Sequence, residues 1–351
     1  MAKSKTSAPT KAAAKAQADV KSAKEVAGAK PAKDVPGAKP LKEVAGAKPA
    51  KEAPGAAPAK EKHARKAPGA KPAIETPAKP STQQPPGKAG TIRAGIGGWT
   101  FEPWRGTFYP EKLSQAKELG YAAQQLATIE VNGTYYSTQS PKTFAKWRSE
   151  TPEGFVFSLK GPRYAVNRRV LGEAGESIER FLKSGLSELG DRLGPLLWQF
   201  APTKKFDAGD FGAFLDLLPD KEGGVPLRHA LEVRHPSFCV PEFIVLARKH
   251  NAAVVFADHA KYPAIPDVTA DFVYARLQRG KDEVPTAYPP KDLASWADRA
   301  KAWASGAAPD DLTLVAPEHP APVKPRDAFV YFIHEGKVRA PQAAMAFQKL
   351  S

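Results

Sequence analysis

Hydrophobic and polar positions divide this chain of 351 residues into two unlike parts near Gly90. From Ile92 onward, short runs rich in β-branched and aromatic residues alternate with longer segments whose apolar positions recur at helical spacing, the pattern of successive βα units. The runs predict eight strands: Ile92–Gly97, Gln125–Val131, Phe155–Lys160, Leu196–Phe200, Ala230–Arg234, Ala253–Asp258, Phe272–Leu277 and Phe329–Ile333. Helices are predicted between most of them, over Leu113–Glu118, Pro141–Arg148, Ser177–Leu189, Phe211–Leu217, Pro241–His250 and Asp292–Ser305, with a last one at Pro341–Lys349. This order predicts an α/β fold of TIM-like (β/α)8 barrel type, for which about 260 residues are sufficient. An open doubly wound sheet is the alternative. Its dinucleotide-binding form wants a GxGxxG turn, and Gly95-Ile96-Gly97-Gly98-Trp99-Thr100 lacks the third glycine.

Neither period appears before Gly90. Residues 1–90 contain no Phe, Tyr, Trp or Cys and are dominated by Ala, Lys, Pro and Gly, so they are expected to be disordered for want of apolar surface to offset ordering entropy. A nonapeptide repeats through them: Glu25–Lys33, Asp34–Lys42, Glu43–Lys51 and a degenerate Glu52–Lys60. Each copy holds a Pro and a Gly, which forbids a continuous helix.

Charge follows the same boundary. Of 52 Lys and Arg and 37 Asp and Glu, the tail holds 19 and 7, which leaves 33 and 30 for the remainder. The basicity of the whole chain therefore describes the tail, whose expected partners are nucleic acid or other polyanions held without sequence preference by counterion release. The rest is nearly neutral and is judged by its own residues. A single cysteine, Cys239, forms no internal disulfide, and no apolar run reaches about 18 residues. The N-terminus lacks the apolar core of a secretory signal, so a cytoplasmic location and no membrane association are expected.

Strand alternation sorts the polar residues. Thr128, Glu130 and Asn132 share one face against Ile129 and Val131; Ser158 and Lys160 oppose Phe157 and Leu159; Glu232 and Arg234 oppose Leu231 and Val233; Tyr274, Arg276 and Gln278 oppose Val273, Ala275 and Leu277. Gln199 lies opposite Trp198 and Phe200. In a barrel these polar faces converge inside, near the C-terminal mouth where such folds place their sites. With Asp258 at a strand end, three acids (Glu130, Glu232, Asp258) face three bases (Lys160, Arg234, Arg276), an arrangement suited to a small polar or phosphorylated ligand. Glu130, Glu232 and Asp258 are the expected catalytic residues, with Glu130 and Glu232 as general bases. Asn132, Lys160, Gln199, Arg234, Arg276 and Trp99 are the expected substrate contacts. The same charges read structurally would be an ion-pair network that fixes strand register.

Histidines stand beside two of the acids, His235 near Glu232 and His259 near Asp258, but at parities that point them to the other face, so no metal ligands are assigned. The sequence requires no cofactor, and a divalent metal stays open as an alternative. Trp99, Phe101, Trp104, Phe108 and Tyr109 cluster after the first strand, either to stack on a ligand or to plug the barrel end.

At these residues the chain resembles the YecE-like family, known as domain of unknown function 72. The resemblance rests on Gly98-Trp99 with Trp104 and Phe108-Tyr109-Pro110, Glu130-Val131-Asn132-Gly133-Thr134-Tyr135-Tyr136, Phe155 to Lys160, Leu193 to Gln199, Glu232-Val233-Arg234-His235, Ala257-Asp258 and Tyr274 to Leu277. It implies a TIM-like barrel and no particular reaction. Departures fall at Val166-Asn167, at Gln278-Arg279 after Arg276-Leu277, and at Ile333-His334-Glu335 after Phe332. Two histidines of the family pattern are amides here, Asn167 and Gln278, which counts against metal or proton chemistry at those places.

Two functions are expected from these features. The first is an enzyme, hydrolytic by analogy with metal-dependent barrel endonucleases, acting on a polar or phosphate-bearing substrate at the barrel mouth. The second is a noncatalytic nucleic-acid-associated protein that uses its tail for affinity.

Overall fold

Strands form where the apolar runs predict them. In the computed structural model, which describes Ala89–Ser351, they are β1 (Ile92–Gly97), β2 (Thr128–Val131), β3 (Val156–Lys160), β4 (Leu193–Gln199), β5 (His229–Glu232), β6 (Ala253–Val254 and Phe256–Asp258), β7 (Phe272–Arg279) and β8 (Asp327–Glu335). The basic tail and its repeats lie outside the described residues up to Lys88. All neighbouring strands of the ring are parallel, in chain order, with β8 beside β1. The ring closes through β6, which is interrupted at Val255. Its first piece pairs with β5 and its second with β7, and the Val255 amide donates to the Leu231 carbonyl at 3.0 Å. The result is a TIM-like barrel.

Parallel strands buried on both faces need two apolar layers. The inner one is Val156, Leu197, Ala230, Phe272, Phe329 and Tyr331 with their neighbours, the residues that fill the barrel. The outer one packs strand residues such as Ile129, Phe157, Leu159 and Leu231 under the helices. Asp327 closes the N-terminal end by pairing with Arg93 and Arg228 at 3.2 and 3.0 Å.

Crossing helices are α1 (Glu118–Gln125), α2 (Pro141–Ser149), α3 (Gly175–Leu182), α4 (Ala208–Asp216), α5 (Pro241–Lys249) and α6 (Pro290–Ser305), and α7 (Ala340–Gln348) follows β8. The connection from β6 to β7, His259–Asp271, has no helix. No helix among the described residues is long and apolar enough to cross a membrane.

Several boundaries differ from expectation. The helix expected at Leu113–Glu118 starts at Glu118, and Leu119, Ala122, Ala123 and Leu126 form its buried stripe, so the strand expected from Gln125 begins only at Thr128. The long helix expected over Ser177–Leu189 stops at Leu182, because Gly185 (φ 98°) takes the left-handed conformation that ends it. β4 starts three residues early, at Leu193, and carries an extra residue against β3, where the register slips between Phe157 and Leu159. Pro195 falls in that slip, where a missing donor disturbs the ladder least.

Candidate functional site

Register brings the inward polar residues into stacked layers. Gly97 pairs with Glu130, Glu130 with Ser158, Lys160 with Leu197 and Gln199 with Glu232. The lowest polar layer is a chain of hydroxyls: Thr128 bonds Tyr331 at 2.8 Å, and Ser158 bonds Tyr274 at 2.9 Å. Tyr274 then donates to Glu130 Oε2 at 2.8 Å. Burial and the nearby Glu130 charge push the Tyr274 phenol far up, so it stays a donor.

Arg276 occupies the centre. Its Nε and Nη2 donate to the two oxygens of Glu130, both at 3.0 Å, and its Nη1 donates to Glu232 Oε2. The other Glu232 oxygen accepts from Arg234 Nε and Nη2 at 3.0 and 2.9 Å, and Gln199 Nε2 donates to Oε2 at 2.6 Å. Both carboxylates are fully buried. Burial alone would raise the Glu232 carboxyl, but Arg276, Arg234, the Gln199 amide and Lys160 outweigh it and hold it down to about 2. The same carboxylates reverse the effect of burial on Arg276 and raise its guanidinium. Every oxygen of Glu130 and Glu232, the two expected general bases, already accepts a charged or polar donor, and both carboxylates bond arginines.

Lys160 is the exception in this layer. Its ammonium donates to Asn132 Oδ1 at 3.3 Å and lies 5.2 Å over the Tyr135 ring, with no carboxylate in salt-bridge contact among the described residues. Burial, followed by the positive Arg276, outweighs Glu130 and Glu232 and pushes the amine down to about 8. It is the group of the cluster whose charge changes near neutral pH.

Above these groups opens a cavity of about 260 Å³ lined by Lys160, Arg234, Arg276, Asn132, Gln199 and Gln278 among others. Gly97 makes room for it: a Cβ there would lie 3.1 Å from Ile333 and 3.3 Å from the Asn132 amide. Four cations line the space, Lys160, Arg234, Arg276 and Lys337, with Glu130 as the one carboxylate of the lining and Glu232 bonded behind Arg234 and Arg276. The cavity is electropositive and suits an anion.

Two expected residues do not join it. Asp258 pairs in register with outward-facing Leu277 rather than with Arg276, and lines a separate cleft with Arg279, whose Nη1 is 3.7 Å away. Burial raises its carboxyl in that cleft, and Arg279 only partly compensates. Trp99 follows Gly98, whose φ of 74° turns the chain outward, and its ring packs edge-on against Trp147 and Phe157 at 5.2 and 6.3 Å. Trp104 and Tyr109 are buried among Phe101 and Phe108, and of these aromatics only Trp104 reaches the cavity lining.

Eight residues of the lining were not among the expected contacts, and four of them carry polar side-chain atoms: Trp104, Gln278, His334 and Lys337. Gln278 shares the parity of Arg276, and its buried Nε2 has no hydrogen-bond partner among the described residues. His334 holds a left-handed φ of 72°, unusual for a side chain with a ring. Trp104 Nε1 donates to the Lys337 carbonyl at 2.9 Å, which ties the loop after β1 to the loop after β8. Among the described residues no three His, Cys, Asp or Glu side chains gather as a metal cage. His235 instead accepts the Ser237 amide at 3.1 Å, and His259 stacks on Tyr262 at 4.0 Å.

Comparison with known families places this arrangement. The family described as protein of unknown function DUF72 matches residues 93–351, nearly all of the described barrel. The chain belongs to the DUF72 family. This is the same family as the YecE-like resemblance above. The UPF0759 protein YunF of Bacillus subtilis is 27% identical over 158 residues, which cover 43% of this chain and 54% of that protein. The chain thus matches about half the length of this curated relative. The crystal structure of a DUF72 family protein from Thermotoga maritima superposes with a TM-score of 0.54 at 22% identity, over 74% of this chain and 97% of that one. A DUF72 family protein from Enterococcus faecalis gives a TM-score of 0.54 at 18% identity, over 74% and 95%. These two likenesses support the DUF72 barrel fold.

Proposed function

We propose that this chain is an enzyme of phosphate-ester chemistry, which binds the phosphate of its substrate in the electropositive mouth and uses Lys160 to move a proton. The observation that carries the reading is the position of Lys160. It is a buried amine pushed down to about 8, beside two arginines held in place by carboxylates. At neutral pH it is mostly an ammonium whose proton is easily given up, which fits a general acid for a leaving alkoxide. As the ester phosphorus–oxygen bond breaks, the proton passes from Lys160 Nζ to the departing oxygen; a water oxygen forms the new bond to phosphorus, and the proton it sheds returns to the Lys160 amine. Arg276 and Arg234 stabilise the negative charge on the phosphoryl oxygens. Gln278, Asn132 and Gln199 supply neutral hydrogen bonds that fix orientation. Glu130 and Glu232 serve as positioning residues.

The test is phosphate release from a panel of phosphomonoesters and phosphodiesters by the full chain. Turnover is expected, with loss of more than 100-fold in Lys160→Met at an undiminished melting temperature. No release by the wild-type chain, together with no binding of inorganic phosphate, would overturn the reading.

A second reading, a noncatalytic nucleic-acid-associated protein, has one observation in its favour: the 19 Lys and Arg of residues 1–90. It predicts that deleting residues 1–90 removes binding to DNA and RNA along with its salt dependence. Undiminished binding by the shortened chain would sink it.

A further inference from the structure

Two of the most exposed large aromatic residues among those described are Tyr136 and Tyr164, 69% and 61% exposed. They do not lie at random. Tyr136 ends the short helix Gly133–Tyr136, which begins two residues past the end of β2 at Val131, and Tyr164 sits in the short helix Arg163–Val166, just past Lys160 at the end of β3. Both therefore stand on the C-terminal rim. They line one cavity of about 340 Å³, together with Arg168, Arg180, Glu176 and Ser177.

This second cavity is joined to the first by the chain itself. Thr134 lines it and donates to the Lys160 carbonyl at 2.7 Å. The Lys160 ammonium lies 5.2 Å over the Tyr135 ring, and the Tyr135 ring centre lies 5.0 Å from that of Tyr136. The Tyr136 ring is thus two such steps from the phosphate-binding amine. On the far side the Arg163 guanidinium lies over the Tyr164 ring at 4.8 Å, and Arg168 turns its Nε into the protein with no partner there.

Solvent-exposed tyrosine rings among arginines, two steps from a buried phosphate site, have the chemistry of a base-stacking platform. A flat π-face accepts any nucleobase, and the guanidinium groups favour the phosphates of whatever lies there. A carbohydrate or peptide would leave this pairing of aromatic faces with cations unexplained. We infer that the substrate is a nucleoside 5′-phosphate, free or at the end of a single strand, with its phosphate against Lys160 and its base on the Tyr136–Tyr164 ledge. This rests on the phosphate-site reading above and gives it a substrate class.

The test compares ligands in the full chain at physiological salt by calorimetry: inorganic phosphate, ribose 5-phosphate, adenosine 5′-monophosphate and 5′-phosphorylated trithymidylate. Adenosine monophosphate should bind at least about 5-fold tighter than ribose 5-phosphate, the low end of what base stacking supplies. Tyr136→Ala should erase that gain, Tyr136→Phe should keep it, and neither should alter phosphate binding. If the trinucleotide binds tighter still and Tyr164→Ala removes only that increment, the ligand is a strand end; equal affinities indicate a free nucleotide. Phosphate binding with no preference for the nucleotide, or a preference untouched by Tyr136→Ala, overturns the ledge and leaves the phosphate site standing. Absence of phosphate binding overturns both.

Discussion

Arg276 and Glu130 face each other side-on across the barrel interior, joined by two parallel N–H···O bonds of 3.0 Å although 146 residues separate them. The geometry is bidentate, and the same guanidinium reaches Glu232 on β5. One cation thus fixes two carboxylates from opposite sides of the ring.

Arg276→Met should be strongly destabilising. It leaves Glu130 and Glu232 buried without their shared counter-ion, and breaking a buried pair in this way costs about 3–5 kcal/mol. Arg276→Lys should recover only part of the loss, since an ammonium lacks the fork that spans both Glu130 oxygens. Urea unfolding of the three chains checks this; equal midpoints would show that the pairing contributes little.

Lys160 predicts a pH dependence in two readouts. The folded amine titrates near 8 and the ordinary one at 10.5, so the unfolded chain binds more protons between those values. Stability should therefore rise with pH across that window, and Lys160→Met should lack that rise. Phosphate affinity should move the other way, falling as pH passes through about 8 and the ammonium is lost. A chain whose phosphate affinity is flat from pH 7 to 10 would exclude Lys160 from the site.

Glu232 acts at the opposite limb. Its folded carboxyl is held at about 2 against an ordinary 4.5, so it contributes stability above pH 4.5 that disappears as pH falls toward 2. Glu232→Gln should flatten the wild-type decline over that interval. Acid unfolding followed by circular dichroism measures the difference.

Gln278→Leu separates binding from folding. The buried Nε2 has no partner among the described residues, so an apolar side chain of similar size should leave stability unchanged or raise it by up to about 1 kcal/mol. Phosphate binding should nonetheless weaken by about 10-fold, the loss of one hydrogen bond to a charged ligand. Unaltered affinity would remove Gln278 from the list of contacts.

Much of the barrel was legible because parallel strands announce themselves as apolar runs and their alternation sorts faces without reference to distant parts of the chain. Glu130, Lys160, Glu232 and Arg276 each followed from the parity of their own strand, and the ring then brought them together. Asp258 was assigned from its position at a strand end instead of from its partner; the break at Val255 hides the parity, and the register with Leu277 places it outside. Trp99 escaped because one left-handed glycine reverses its direction. Trp104 and Lys337 come from loops 233 residues apart, so no local pattern could join them. The pairing among the charges was also illegible: equal numbers of acids and bases gave no sign that every oxygen of Glu130 and Glu232 would be taken by donors while Lys160 bonds only the Asn132 amide among the described residues.

The helix-free connection after β6 has a consequence for how such barrels diverge. Arg234 lies 4.6 Å over the Tyr262 ring, and Tyr262 stacks on His259, so the orientation of a pocket arginine depends on a stretch that belongs to no strand or helix of the barrel. The first residues of this connection, His259–Lys261, are at least partly exposed. Replacements there would shift what the mouth accepts while the ring and its sheath of helices stay intact. Under the proposed function, ligand preference is expected to drift at this point before it drifts at the arginine itself.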